Sequence, residues 1–305
     1  MRFSATSGAG SRSLADALRR LHLPGCSVTA LRVPASSANL GPGFDALGVA
    51  LDIHAYIGLV DASTGDAERA KQVDDNHPAR IAFAAAGGEG AIWVRSPIPI
   101  GRGLGFSGAM RVGGAAAAVV QRLGRAALVD RHADVLSVAA ALEGHADNVA
   151  ASLYGGVVTT DGTRAVRVET PLRPDVVLWI PEETTSTATS RTALPASVPF
   201  DDAVFNVGRT ALLVAALAAG DVAALATATA DRLHQERRFV TAGASRVALA
   251  AGLDAGAWCG WLSGSGPTVA FLAHDGRGEL IGAALPAGGH IRVASIDRQG
   301  TQLVG

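Results

Sequence analysis

Cysteine, charge and aromatic side chains are scarce in this chain of 305 residues. The two cysteines, Cys26 and Cys259, are too distant in sequence for a metal motif or a disulfide framework, which favours a reducing cytoplasm. The net charge is −1 with no basic stripe, so no nucleic acid partner is expected. No apolar run reaches the ~18 residues of a membrane span, and the N-terminus lacks the apolar core of a signal peptide. Neither membrane insertion nor export is therefore expected.

Small apolar side chains are abundant instead, since 49% of the residues are hydrophobic and only 5% are aromatic. The pattern predicts a tightly packed protein of two α/β halves that join near residues 165–173. A frayed lead and a short helix over 13–21 come first. Strands are predicted at 27–35, within 43–62, at 90–100, 154–162, 165–171 and 174–183, twice within 256–275 and at 290–300, and helices at 78–87, 107–125, 131–145, 202–220 and 221–238.

The segment PIPIGRGLGFSGAM at 97–110 joins a predicted strand to a predicted helix. Such a loop presents backbone N–H groups and the positive end of a helix to an anion. No Gly-Lys-Ser/Thr triplet follows, and the glycine spacing differs from the dinucleotide-binding fingerprint. The residues alone leave two interpretations open, a phosphate-binding loop and a plain strand-to-helix turn.

Ser107 and Glu143 are candidate oxygen ligands for Mg²⁺, which favours carboxylates and substrate phosphates. Ser107 stands where a helix is predicted to begin, so its alternative role is a helix N-cap. Glu143 stands at the predicted end of another helix, where its alternative role is that of a solvated surface residue.

Two further glycine-rich loops are hard to explain by packing alone. PASSANLGPGFDALG at 34–48 contains Asn39 and Asp45, both of which are also typical of turns. LSGSGPT at 262–268 is typical of a hairpin turn as well. Together with the loop at 97–110, these segments favour one cleft that is lined by backbone.

Four segments in order, at 33–51, 97–109, 143–156 and 262–268, resemble the motifs of the GHMP kinases. Within that superfamily they are most similar to homoserine kinases, as are the segments at 185–195, 205–217 and 231–238. The resemblance implies an α+β two-domain GHMP kinase fold. Residues 27–168 would form a domain like ribosomal protein S5 domain 2, residues 169–305 would form a ferredoxin-like domain, and residues 1–26 would precede both.

The resemblance implies ATP-dependent phosphorylation of the side-chain hydroxyl of L-homoserine, with Mg²⁺ on Ser107 and Glu143. These two residues and Asn148, which would orient the hydroxyl, form the implied catalytic set. ATP would lie along Gly101, Arg102, Gly103, Leu104, Gly105, Phe106, Ser107 and Gly108, with Asn76 near the adenine. The amino-acid substrate would lie among Asn39, Asp45, His145, Asn148, Thr187, Arg191 and Arg238.

The chemistry of these residues agrees with that assignment, because Asp45 can pair with an ammonium group and both arginines with a carboxylate. Arg191 is otherwise an ordinary surface arginine. The implied partners are the amino-acid substrate and ATP, in the cytoplasm and without nucleic acid or membrane. A homodimer is among the assembly states left open.

The glycine loop departs from the usual family pattern Gly-Leu-Gly-Ser-Ser-Ala-Ala at two positions, Phe106 and Gly108. We predict that the Phe106 ring turns toward the core and leaves the loop amides facing the phosphates. HQERR at 234–238 also replaces a more usual His-Gln-Pro pattern. The alternatives are a diverged paralogue acting on another small carboxylated substrate, a non-kinase isomerase or lyase of the same fold, and a ligand-binding pseudokinase.

Overall fold

The computed structural model of the chain describes residues 30–61, 64–69, 71–185, 187–192 and 194–305, with the backbone alone for 187–189. The predicted lead and helix over 13–21, and Cys26, lie outside the described residues. Two antiparallel sheets organise the rest: the first comes from the first half of the chain together with its last strand, and the second comes from the second half.

The first sheet has the strand order β10-β1-β2-β4-β5, and β3 pairs with the second half of β2. Its strands are β1 (Ala30–Ala38), β2 (Leu47–Leu59), β3 (Ile92–Arg95), β4 (Val157–Thr160), β5 (Ala165–Val168) and β10 (Gln302–Val304). Along β2, Leu51, Ile53, Ala55 and Ile57 are fully buried and alternate with more exposed residues. This period of two places one face of the sheet against the core.

The helices of the first half are α1 (Asp66–Arg69), α2 (Pro78–Ala85), α3 (Phe106–Leu123), α4 (His132–Glu143) and α5 (Asp147–Tyr154). Helices α3 and α5 pack on the central strands of the sheet, and α2 and α4 pack on α3. A Cβ at Gly114 would lie 2.0 Å from the Ala79 carbonyl oxygen, so α2 and α3 approach closely only because this position is glycine. The predicted helix over 131–145 ends at Glu143, because Gly144 takes a left-handed φ of 82°. Helix α5 was not predicted.

The second sheet has the strand order β7-β8-β6-β9. Its strands are β6 (Asp175–Pro181), β7 (Cys259–Leu262), β8 (Val269–Ala273) and β9 (Gly289–Ala294). The helices of this half are α6 (Thr187–Thr192), α7 (Phe200–Ala219), α8 (Val222–Ala228), α9 (Gln235–Phe239), α10 (Gly243–Asp254) and α11 (Gly278–Ala284). The sequence did not predict α6, α10 or α11.

The prediction of one helix over 221–238 is wrong, because the chain forms α8 and α9 with a turn between them. The Asp231 carboxylate causes the break: it accepts hydrogen bonds from the backbone N–H groups of Leu233, His234 and Gln235. It therefore satisfies the donors at the start of a new helix.

The predicted last strand over 290–300 ends at Ala294. Asp297 accepts hydrogen bonds from the backbone of Gln299 and Gly300 and turns the chain into β10, which pairs with β1 of the first sheet. The domain division at 168/169 stays a prediction, but the last strand lies with the first half and not with the second.

Helix α7 is, among the described residues, the one helix long and apolar enough to span a membrane by length and composition alone. About 22% of its most apolar window is buried. It joins the two halves near the site, because the Asn206 and Thr210 side chains both donate to the Pro42 carbonyl in the loop between β1 and β2.

Candidate active site

A cavity of about 200 Å³ lies where the three glycine-rich loops meet. It brings together most of the residues that the resemblance implied, although the loops are far apart in sequence. Its lining comprises Asn39, Asp45, Pro99, Ile100, Gly101, Arg102, Gly103, Leu104, Gly105, Phe106, Ser107, Glu143, His145, Asp147, Asn148, Thr185, Arg191, Arg238, Gly264 and Ser265.

Two expected residues, both among the described ones, are not part of the lining. Gly108 lies inside α3 and packs on Asn148, where a Cβ would come within 3.2 Å of the Asn148 Cβ. Asn76 is exposed, and its backbone N–H donates to Asp74 Oδ1 at 2.9 Å. The Thr187 side chain lies outside the described residues. Contacts of Asn76 with adenine and of Thr187 with substrate stay predictions.

The glycine loop has the backbone of an anion-binding turn. Gly101, Gly103 and Gly105 have φ values of 68°, 71° and 68°, in the left-handed region that favours glycine. Gly105 is the N-cap of α3, and no side chain caps that helix. The first N–H groups of an 18-residue helix are thus left for a ligand at the cavity.

Ser107 is not the N-cap of α3, contrary to its alternative interpretation, because the helix already begins at Phe106. Its hydroxyl instead donates to Glu143 Oε2 at 2.8 Å, and Glu143 is the last residue of α4. The Glu143 side chain is only 9% exposed, so Glu143 is not the solvated surface residue that the sequence left open.

Arg111 is the neighbour of Glu143 that the sequence did not predict. It lies four residues after Ser107 on α3, and its guanidinium forms an ion pair with the same Glu143 Oε2. Burial lowers the pKa of Arg111. The i, i+4 spacing of Ser107 and Arg111 was the available signal, but the sequence does not show that Glu143 faces them.

The donor set fits a magnesium ion that is shared with phosphates. Ser107 and Glu143 supply one hydroxyl and one carboxylate at the cavity wall. No group of three or more metal-ligating side chains occurs among the residues the structure describes. Mg²⁺ is commonly held by one or two carboxylates together with substrate phosphates, so two protein oxygens are a suitable set.

At the other end of the cavity, Arg191 donates to both carboxylate oxygens of Asp45, at 2.7 and 2.8 Å. Asn39 positions Asp45, because its Oδ1 accepts the Asp45 backbone N–H and its Nδ2 donates to the Gly264 carbonyl. The pair is partly open to solvent, with 39% of the arginine and 36% of the aspartate side chain exposed.

Phe44 and His234 hold the second arginine, and neither was predicted. The guanidinium carbons of Arg191 and Arg238 lie 5.5 and 5.3 Å from the centre of the Phe44 ring. Arg238 is 5% exposed and donates to the Gly264 carbonyl and to His234 Nδ1. His234 Nε2 then carries the proton that bonds to the Gly41 carbonyl at 2.7 Å. Burial lowers the pKa of His234, which agrees with a neutral ring that accepts from Arg238.

Between the two ends lie His145, Asp147 and Asn148. His145 Nδ1 is 2.9 Å from Asp147 Oδ1, which also accepts the Asn148 backbone N–H. Asn148 Oδ1 accepts a hydrogen bond from Ser36 at 2.9 Å. Because the oxygen of the amide is engaged by the protein, its NH₂ group is the end that is left for a ligand in the cavity.

The Phe106 ring packs against the hydrophobic core and meets the His77 ring edge-on, with the ring centres 6.1 Å apart. The residue also borders the cavity. This packing agrees with the prediction that the ring turns toward the core.

We expect Phe106→Ser to lower the thermal midpoint by about 1–3 °C, because full burial of such a ring is worth about 1.5–3 kcal/mol and this ring is only half-buried in a chain of 305 residues. Its affinity for Mg·ATP, measured by calorimetry, should stay within about threefold of the parent, since backbone amides would bind the phosphates. Phe200→Ser is the matched control, because Phe200 is 82% exposed and its loss should leave the midpoint unchanged. If the parent binds no Mg·ATP and Phe106→Ser gains binding, the ring blocks the cavity.

The comparisons with known proteins agree on one family. The model "GHMP kinases N terminal domain" matches residues 74–156, and the model "GHMP kinases C terminal" matches residues 213–291. Homoserine kinase of Moorella thermoacetica is 39% identical over 277 residues, which cover 84% of this chain and 91% of that protein. Homoserine kinase of Thermus thermophilus is 41% identical over 272 residues, with the same coverage.

A solved structure gives the same result. The crystal structure of homoserine kinase from Cytophaga hutchinsonii aligns with a TM-score of 0.75 at 25% identity. The alignment covers 93% of this chain and 99% of that structure. The similarity therefore extends over most of the chain.

Proposed function

The chain belongs to the homoserine kinase family of the GHMP kinases, and we propose that it transfers the terminal phosphoryl group of ATP to the side-chain hydroxyl of L-homoserine. The expected fold class is confirmed by the family models and by the aligned structure. The products would be ADP and O-phospho-L-homoserine.

The Asp45–Arg191 ion pair is the observation that best supports an amino acid as the substrate. A carboxylate and a guanidinium that face each other at a cavity match the ammonium and the carboxylate of an α-amino acid. A bound amino acid would exchange this pair for two new ones, Asp45 with its ammonium and Arg191 with its carboxylate. Arg238, stacked on the same Phe44 ring, would supply the second guanidinium to the carboxylate.

The glycine loop and α3 support ATP as the second substrate. The loop backbone and the uncapped helix N-terminus would hold the phosphates of ATP. Ser107 and Glu143 would hold Mg²⁺, which supplies neutralisation of the charge on the phosphates. Asn148 would orient the hydroxyl through its amide nitrogen, at a point between the two ends of the cavity.

The residues of the chain thus position two substrates and neutralise charge, which is most of what phosphoryl transfer requires. The hydroxyl would attack the phosphorus directly, with no side chain assigned as a general base. We place this reaction in the cytoplasm, and we keep a homodimer as a prediction.

An ADP-release assay on a panel of hydroxy compounds tests the proposal. With Mg·ATP present, L-homoserine should give the highest kcat/KM, above L-serine, L-threonine and γ-hydroxybutyrate, which lacks the ammonium group that Asp45 would bind. Asp45→Asn should remove the preference for homoserine over γ-hydroxybutyrate. Mg·ATP binding with turnover of a different compound would identify a paralogue, and absence of Mg·ATP binding would overturn the kinase assignment.

A further inference from the structure

We propose that Arg111 is a resident counter-cation for Glu143, which must leave this carboxylate before a divalent metal binds, and that Arg111 thereby lowers the affinity of the site for free metal. The inference rests on the proposed function only in assigning Glu143 as the metal ligand. Arg111 is then a positioning residue, since it acts through Glu143.

The competition follows from the atoms involved. Glu143 Oε2 accepts the Ser107 hydroxyl at 2.8 Å and carries the Arg111 ion pair. The other oxygen, Oε1, faces His145 Nε2 at 3.8 Å. A metal that is shared between Ser107 and Glu143 would lie beside Oε2, which is where the guanidinium already is.

Charge makes the two occupants exclusive. The guanidinium cannot lose its proton within a protein, so it remains a full positive charge next to any metal at Oε2. Two cations within a few ångströms in a partly buried site repel strongly. In the absence of metal, however, the guanidinium compensates a carboxylate that is only 9% exposed and would otherwise be buried without a partner.

Few contacts hold the Arg111 guanidinium, so it can leave Glu143 when a metal binds there. Its Nε is buried without a hydrogen-bond partner, and Glu143 is the polar partner that the described structure gives its guanidinium. The side chain is 20% exposed, so a route to solvent exists. It also lies one helical turn from Ser107, so a phosphate at the start of α3 is an alternative anion for it.

This competition determines whether the metal binds alone or together with the nucleotide. Free divalent cation finds the carboxylate already neutralised and binds weakly. A metal that arrives with a nucleotide brings phosphates, which can take the guanidinium as the metal takes Glu143. The chain would therefore select the metal–nucleotide complex over free metal.

Titration with Mn²⁺ alone, followed by electron paramagnetic resonance without nucleotide or homoserine, tests this inference. We expect Arg111→Met to bind Mn²⁺ at least about tenfold more tightly than the parent chain. Arg122→Met is the matched control on the same helix, because Arg122 bonds to the Ala86 carbonyl, and it should match the parent. The double variant Arg111→Met/Glu143→Gln should lose the gain, which would assign it to Glu143.

Equal or weaker Mn²⁺ binding in Arg111→Met would overturn the proposal. Arg111→Lys gives a second test that does not depend on removing the charge. Lysine is shorter and reaches Oε2 less well, so the Mn²⁺ affinity of this variant should lie between that of the parent and that of Arg111→Met. Mn²⁺ binding is measured without turnover. A failure to phosphorylate homoserine and a failure of metal to compete with Arg111 at Glu143 are therefore separate results.

Discussion

Glu143→Gln should lower kcat for phosphoryl transfer by roughly 10²–10³-fold, the usual effect of removing one charge-stabilising group from an active site. Glutamine keeps the shape of the side chain and can still accept from Ser107, but it loses the negative charge that would hold Mg²⁺. The affinity for homoserine should change little, because the proposed amino-acid site involves the Asp45–Arg191 pair and not Glu143. Steady-state kinetics with varied Mg²⁺ and homoserine measure both quantities.

The change also leaves Arg111 without its carboxylate, so a control for folding is needed. Arg111→Met/Glu143→Gln removes both charges and should fold at least as well as Glu143→Gln alone, because no unpaired charge remains in the partly buried site. Glu236→Gln is the matched control on the surface, where Glu236 pairs with Arg246 and both are largely exposed. A correctly folded Glu143→Gln protein with near-normal kcat would remove Glu143 from the metal site.

Arg238→Met should raise the KM for homoserine by at least about 30-fold while the affinity for Mg·ATP stays nearly constant. Removing one member of a desolvated, charge-assisted pair costs about 2–5 kcal/mol. Arg238 is the more buried of the two arginines on Phe44, so its contribution should exceed that of the half-exposed Arg191. The Gly264 carbonyl keeps a donor in this variant, because Asn39 Nδ2 also bonds to it.

Arg246→Met is the control for Arg238→Met, since Arg246 is a half-exposed arginine of the same half of the chain. Its kinetics should match the parent. Arg238→Lys should recover part of the loss, because a lysine keeps the charge but not the bidentate geometry. A change in kcat with no change in the KM for homoserine would exclude Arg238 from carboxylate binding.

The loops of the site were predictable because each has a local signal. The glycines of the segment at 97–110 predicted a loop between a strand and a helix, and the structure shows Gly101, Gly103 and Gly105 there with left-handed φ values of 68–71°. The long strand within 43–62 and the helices at 78–87 and 107–125 follow from apolar periodicity, which the sequence carries directly. The structure then brings the three loops into one cavity, as the glycine pattern favoured.

The features of the fold and the site that the sequence did not predict depend on contacts between distant segments. Arg111 is unremarkable in sequence, and its role follows only when α3 and α4 place it against Glu143. His234 belongs to the HQERR segment, yet its neutral state depends on burial beside Arg238 and on the Gly41 carbonyl. Strand β10 has three residues and is stabilised by pairing with β1, some 270 positions away. Short elements of this kind lack enough periodicity to be predicted.

The most direct test of the account is phosphorus NMR of the purified chain with Mg·ATP and L-homoserine. We expect a new phosphomonoester resonance that grows in step with ADP, requires L-homoserine, and grows roughly 10²–10³-fold more slowly in Glu143→Gln. ADP with inorganic phosphate and no phosphomonoester, or no consumption of ATP at all, would contradict the claim that this cavity transfers a phosphoryl group to homoserine.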